Sequence, residues 1–382
     1  MTRLLDPAIL PAYLASGLRI ARRGLFGPQR YPGDARTVCR AIIERCWTGD
    51  HYLASAGHFR QFWIRDLGFS SAALVRLGYR ERVAASLAWA LEAWSRQGRV
   101  TTTIFAGRRP RDVYTYGVDS LPLLLYALRA SDASGLVARH RVWLGLEVER
   151  FGREVLDPRT GLVRADRRFS THRDTIRTSS NCYANTMLVL LSTVLGETGW
   201  FPDPVPAGAR ERFLAAFWRG DHFVDRREAD LVSGDATVFP FWFGVVAPGL
   251  AGALAAARAA GLAAPIPLRY AARRDPAAED PIARLFVPDY QGSAIWTSLG
   301  AIYLALLDSV DPLAAAPAIE AYERLVERDG TLWEVLDGAD PGLRPYRGRL
   351  GLFRADEGML WSAILLELLE RRAARPASPP AG

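Results

Sequence analysis

The chain has 382 residues, 49% of them hydrophobic and including 11 Trp, 13 Tyr and 16 Phe, which is ample material for a large core and excludes intrinsic disorder as its ground state. Its formal net charge of +7 rests on 48 basic residues that are all Arg, scattered and often set beside acids as in Arg80-Glu81-Arg82, so the clustered basic face of a nucleic-acid binder is not expected. The complete absence of Lys excludes a Walker-type phosphate lysine, a kinase strand lysine and a pyridoxal Schiff base.

Residues 1–33 read as an N-terminal extension. Met1 to Leu25 carries Asp6, Pro7 and Pro11 and ends close to Arg22-Arg23, without the unbroken apolar run and small-residue cleavage site of a signal peptide. No stretch reaches about 18 apolar residues without a charge, so no transmembrane helix and a cytoplasmic location are expected. From Thr37 onward the apolar spacing is helical. It predicts helices over 36–47, 68–77, 80–95, 118–130, 135–153, 182–196, 207–217, 237–247, 249–260, 293–308, 313–328 and 358–371. Gly and Pro punctuate the joins, as at Gly78, Gly98, Gly199 and Pro265, and little of the chain alternates with the period of a half-buried strand. The Pro- and Ala-rich segment 373–382 reads as a disordered tail, leaving one domain over 34–372.

Cys39 and Cys46 lie seven positions apart on a predicted helix, too far to bridge at about 1.5 Å of rise per residue, and Cys182 stands alone. His51, His58, His140, His172 and His222 show no metal-ligand spacing. Neither a metal nor a cofactor is expected.

Helices joined alternately by short and long connections predict helical hairpins closed into a ring, an all-α (α/α)6 toroid. The long connections, 48–67, 99–117, 154–181, 218–236, 261–292 and 329–357, are rich in aromatic and charged residues, and such a ring gathers them at one end. The first contains Trp63, Arg65 and Asp66: rings suit the apolar face of a pyranose, and the charged pair suits vicinal hydroxyls. An Asp opening a helix is equally a cap, and an Arg–Asp pair is equally structural. The second places Asp119 after Tyr116, again at a helix start. The third carries Asp166-Arg167-Arg168, where a carboxylate among cations is expected to be ionised unless buried. Later come Asp289 to Trp296, with Gln291, and Thr331-Leu332-Trp333-Glu334.

In this order, Phe62-Trp63-Ile64-Arg65-Asp66, Val118-Asp119-Ser120, Ala165-Asp166-Arg167-Arg168, Tyr290 to Trp296, Leu332-Trp333-Glu334 with Asp337-Gly338, and Leu360-Trp361-Ser362 resemble the neutral/alkaline invertases of the six-hairpin glycosidase superfamily. That resemblance implies an (α/α)6 barrel that cleaves glycosidic bonds with two carboxylic acids. It assigns Asp166 as proton donor, Glu334 as partner carboxylate, and Arg65 and Asp66 to the innermost sugar subsite; Trp63, Asp119, Arg168, Gln291, Trp296 and Trp333 are the further residues expected to bind substrate. The superfamily resemblance favours inversion, for which carboxyls roughly 6.5–9.5 Å apart leave room for water. Ser180-Asn181-Cys182-Tyr183 departs from the invertase helix start, and the Pro between Trp and Glu is missing, so the expected substrate is a small α-glucoside or related oligosaccharide rather than sucrose in particular. Two alternatives use the same scaffold: a non-catalytic carbohydrate-binding protein, and a sugar 2-epimerase-like isomerase relying on His58 and His172. A terpene cyclase would need an Asp-x-Asp-Asp cluster, which is absent.

Overall fold

The computed structural model describes residues 10–113, 115–351 and 353–375. After α1 (Leu10–Phe26) the helices alternate between an outer and an inner layer. The first hairpins are α2 (Ala35–Cys46, outer) with α3 (Ile64–Arg76, inner), α4 (Arg80–Gln97, outer) with α5 (Ser120–Ala130, inner), and the outer pair α6 (Ser134–Arg139) and α7 (Arg141–Val155) with inner α8 (Cys182–Thr198). Then follow α9 (Ala209–Phe217, outer) with α10 (Gly234–Trp242, inner) and α11 (Leu250–Ala259, outer). The short α12 (Pro281–Phe286) lies in the connection before inner α13 (Thr297–Val310), and α14 (Pro312–Asp329, outer) precedes inner α15 (Ser362–Ala373).

The inner helices close a ring: α3 packs on α5, α5 on α8, α8 on α10, α10 on α13, α13 on α15, and α15 back on α3. The two layers differ as their sequences require. In α5 every residue from Ser120 to Leu128 is buried, and in α13 every residue from Thr297 to Asp308, as befits helices that are apolar on all sides. Outer α14 buries only Ala315, Ile319, Tyr322, Leu325 and Val326, a single stripe. The all-α toroid expected from the spacing is therefore the observed architecture.

Four details differ from the sequence-based expectation. The extension contains the 17-residue α1, whose apolar spacing is helical although Leu14, Leu18, Leu25 and Phe26 face solvent. The helix expected over 135–153 breaks at His140 into α6 and α7. The helix expected over 237–247 starts at Gly234 and ends at Trp242. Short antiparallel pairings stitch neighbouring connections together, Phe62–Trp63 to Thr103–Phe105 and Ile295–Trp296 to Val335–Leu336. Residues 1–9 of the extension and 376–382 of the expected tail lie outside the described residues, while α15 continues to Ala373. All three cysteines are free and buried, and no described helix is long and apolar enough to cross a membrane.

Candidate active site

Each long connection leaves an outer helix and enters the N-terminus of an inner one, so the inner N-termini and the loops before them share one end of the ring. Glu334 is placed there by the pairing of Trp296 with Val335 and by the Glu334 carbonyl, which accepts the Thr297 amide at 3.2 Å. Its amide donates to the Asp356 carbonyl at 2.8 Å, and the Asp356 amide returns a bond to Glu334 Oε2 at 3.0 Å. The Tyr290 hydroxyl donates to Oε1. Burial lifts the Glu334 carboxyl to about 7; the Tyr290 bond opposes this, and the Asp356 carboxylate adds to it.

Asp66 stands in the first turn of α3, 8% exposed. Burial, followed by the charge of Glu334, raises its carboxyl to about 8. Its own backbone amide and Arg65 oppose that rise without reversing it. Asp356, by contrast, is saturated. It accepts the amides of His58 (2.8 Å) and Phe59 (2.8 Å), the Ser55 hydroxyl and Arg23 Nη1 (3.2 Å), and His58 Nδ1 lies 2.8 Å away. Although burial pushes the other way, His58 and Arg23 hold the Asp356 carboxyl well below the usual carboxylate range. The other ring nitrogen of His58, Nε2, is buried without a partner.

A second knot joins the second and third connections. Arg65 donates from Nε to Asp119 (2.5 Å), from Nη1 to Asp174 (2.7 Å) and from Nη2 to the Ser170 hydroxyl (2.9 Å). Tyr183 donates to the same Asp119 oxygen at 2.8 Å, leaving Asp119 Oδ1 buried and unpartnered. Burial alone would lower the Arg65 pKa, but Asp119 and Asp174 outweigh it and hold the guanidinium above its ordinary value. Asp119 makes no cap bond at α5, so its role is this ion pair. Beside the knot, His172 is enclosed by Phe69, Tyr183, Phe239, Tyr270 and Trp296, and burial, followed by the charge of Arg65, keeps it neutral at ordinary pH.

The remaining expected residues fall in different places. Trp63 is half-buried and edge-on to Phe59 at 6.2 Å. Trp296 donates to the Tyr290 carbonyl at 2.7 Å and lines the aromatic wall, whereas the Trp333 indole turns to Asp329 at 2.9 Å. Gln291 is committed to the third connection: it accepts from the Thr175 amide at 2.7 Å and donates to the His172 carbonyl at 2.8 Å. It therefore positions that loop, with both ends of its amide engaged. Arg168 braces the same loop through the Asp174 carbonyl (2.8 Å) and Asp280 (3.2 Å).

Asp166 corrects the sequence reading. Its side chain is 68% exposed and bidentate with Arg164 at 3.0 and 2.9 Å, and the Arg164 hydrogen bond lowers its pKa further. A carboxylate held ionised in solvent is unsuited to donate a proton, and none of its contacts belongs to the Glu334 pocket. Its neighbours Arg167 and Arg168 instead line an open cleft of about 720 Å³ with Arg99, Asp112 and Tyr116. The site residues that the motifs did not single out are Asp356, Tyr290, Asp174, Tyr183 and Arg23. Tyr290 lies within a recognised island, but Asp356 offered only its place shortly before the closing helix as a signal. Among the described residues, no group of His, Cys, Asp and Glu is arranged to hold a metal ion.

The closed inner ring and its outer layer define the fold as an (α/α)6 toroid. No protein-family model matches the sequence, and no curated protein matches it. Solved structures do. A glycosidase variant in complex with glucose is similar over 90% of this chain and 96% of its own, at 17% identity and a TM-score of 0.63. A rhamnosidase from Klebsiella oxytoca with rhamnose bound aligns over 89% of this chain at 15% identity and a TM-score of 0.62, and this chain spans 63% of its length. A mannosylglycerate hydrolase from Thermus thermophilus in complex with Tris and D-glycerate aligns over 88% of this chain and 100% of its own, at 16% identity and a TM-score of 0.56.

Proposed function

We propose that the chain is a cytoplasmic glycoside hydrolase acting on a small α-glucoside or related oligosaccharide, with Asp66 as proton donor and Glu334 as base. The observation that carries this reading is two buried carboxyls at the same end of the ring, raised to about 8 and about 7, with the charge of Glu334 acting on Asp66. At neutral pH Asp66 keeps its proton and can deliver it to the glycosidic oxygen as the bond to the anomeric carbon breaks. Glu334, about half ionised, takes a proton from the water that attacks that carbon. Raising a donor by burial and keeping a partner ionisable is how one pocket runs acid and base chemistry together. The glycosidases that share the fold support the reaction class, and an inverting course is our reading of the pair.

The test is incubation with sucrose, trehalose, maltose, isomaltose, glucosylglycerol, glucosylglycerate and mannosylglycerate, with and without phosphate, followed by NMR of the anomeric protons. We expect turnover of at least one, lost in Asp66→Asn and Glu334→Gln and kept in Asp166→Asn. Full activity of Asp66→Asn would remove it as the donor. Chemical-shift changes without turnover would instead indicate a binding protein.

A second reading, a sugar isomerase, is favoured by His58, whose Nδ1 is oriented by Asp356 while Nε2 is free. It predicts activity lost in His58→Gln and kept in both carboxyl variants.

A further inference from the structure

Helix α1 is attached to the ring in an unusual way. Its leucines do not hold it: Leu14, Leu18 and Leu25 are 61%, 71% and 81% exposed. Its arginines do. Arg19 Nη2 donates to the His58 carbonyl at 3.1 Å, and Arg23, only 8% exposed, enters the wall of the pocket. There Nη1 contacts Asp356 Oδ1 at 3.2 Å and Glu357 Oε2, and Nη2 donates to the Arg354 carbonyl at 3.0 Å.

We propose that Arg23 is a positioning residue for Glu334, brought in by the N-terminal helix to hold together the adjacent carboxylates Asp356 and Glu357; this rests on the reading of Glu334 as an acid–base group. The linkage is short. Asp356 supplies the amide that bonds Glu334 Oε2 and accepts the Glu334 amide, so the segment carrying Asp356 sets the rotamer and charge of Glu334. Two consecutive buried carboxylates repel unless a cation is shared between them, and burying either alone is costly. The groups facing that corner are Arg23, His58 and Ser55, with Arg19, Arg60, Tyr31, Cys46 and Asp66 also within reach of its charge, and those facing Glu334 are Tyr290, Asp356, His58 and Asp66. Removing Arg23 takes away the cation that is tied to both acids. The corner then carries more net negative charge, and the Asp356 segment loosens from Glu334.

The experiment is a pH titration of the full chain labelled with carboxyl-¹³C glutamate, with the Glu334 resonance assigned by its loss in Glu334→Gln. In Arg23→Met we expect the Glu334 midpoint to rise by about one pH unit, the size of effect a lost neighbouring cation produces. Arg23→Lys should restore most of the wild-type value, and Arg22→Ala, on the exposed face of the same helix, should leave it in place. If Arg23→Met does not fold, Arg23→Gln carries the same expectation without the charge. An unshifted midpoint in a folded, neutral Arg23 variant overturns the proposal and leaves Arg23 as an anchor of α1 alone. No substrate is needed for this readout, so failure to find turnover bears on the hydrolase reading and a fixed midpoint bears on Arg23.

Discussion

Glu334 and Asp66 bind their protons more tightly in the folded chain than a free carboxyl does, and burial is the first cause for both. If Glu334 must be ionised and Asp66 protonated, kcat/KM should follow a narrow bell with limbs at about 7 and about 8, read from a pH series on whichever glycoside turns over. The same shift has a sign in stability. Asp66 is raised to about 8 in the fold, against about 3.9 when unfolded. Its contribution is therefore fully present below the unfolded value and lost as pH rises through the folded one. Asp66→Asn should gain Tm over the wild-type chain progressively between about pH 4 and pH 8, and a constant difference across that range would contradict the burial. Asp166→Asn, changing an exposed pair, should lower Tm only slightly at neutral pH, and that small difference should fade as acid protonates Asp166. Glu334 and Asp66 were both legible as motif residues, since a Trp-Glu turn and an Arg-Asp pair are local patterns. Which third-connection carboxylate pairs with Arg65 was not legible, because Asp166 and Asp174 look alike in sequence and only the loop path turns one to solvent and the other to Arg65.

At the scale of elements, the helices were legible wherever apolar periodicity ran long, and the inner layer could be told from the outer by being apolar all round. The two-residue pairings Phe62–Trp63 and Val335–Leu336 were not, because strands that short have no period and exist only where another loop meets them. Two glycines report how tightly the layers pack. A Cβ on Gly68 of α3 would lie 2.8 Å from the Leu123 Cβ of α5, and one on Gly300 of α13 would lie 1.8 Å from the Tyr322 hydroxyl and 2.6 Å from the Pro267 carbonyl it bonds. Alanine gains about 1 kcal/mol of helix propensity over glycine, but forced overpacking costs about 1–3 kcal/mol. Gly300→Ala should therefore lower the urea midpoint despite being the better helix former, and Gly68→Ala should do so to a smaller extent. A raised midpoint in either would mean the interface yields.

For the whole molecule, the decisive contact is ring closure, in which α15 packs on α3 and α2 across most of the chain length. In α15 every residue from Ser362 to Leu369 is buried, so removing it opens the ring on both flanks. A chain ending at Trp361 should lose the cooperative thermal transition of the full chain, followed by circular dichroism at 222 nm. A sharp transition surviving in the truncated chain would show that five hairpins suffice.

The helices, their alternation with loaded loops, the class of ring they form, and the exclusion of lysine-dependent chemistry were all legible in the chain, because periodicity, composition and absence are properties read along it. Only the folded ring buries Asp66 within reach of the Glu334 charge, leaves Asp166 in solvent, commits Gln291 to bracing a loop, and brings Arg23 to Asp356 across 333 positions. Burial and partnership set the charge of a side chain, and both arise only when loops distant in sequence are brought to the same end of a closed ring.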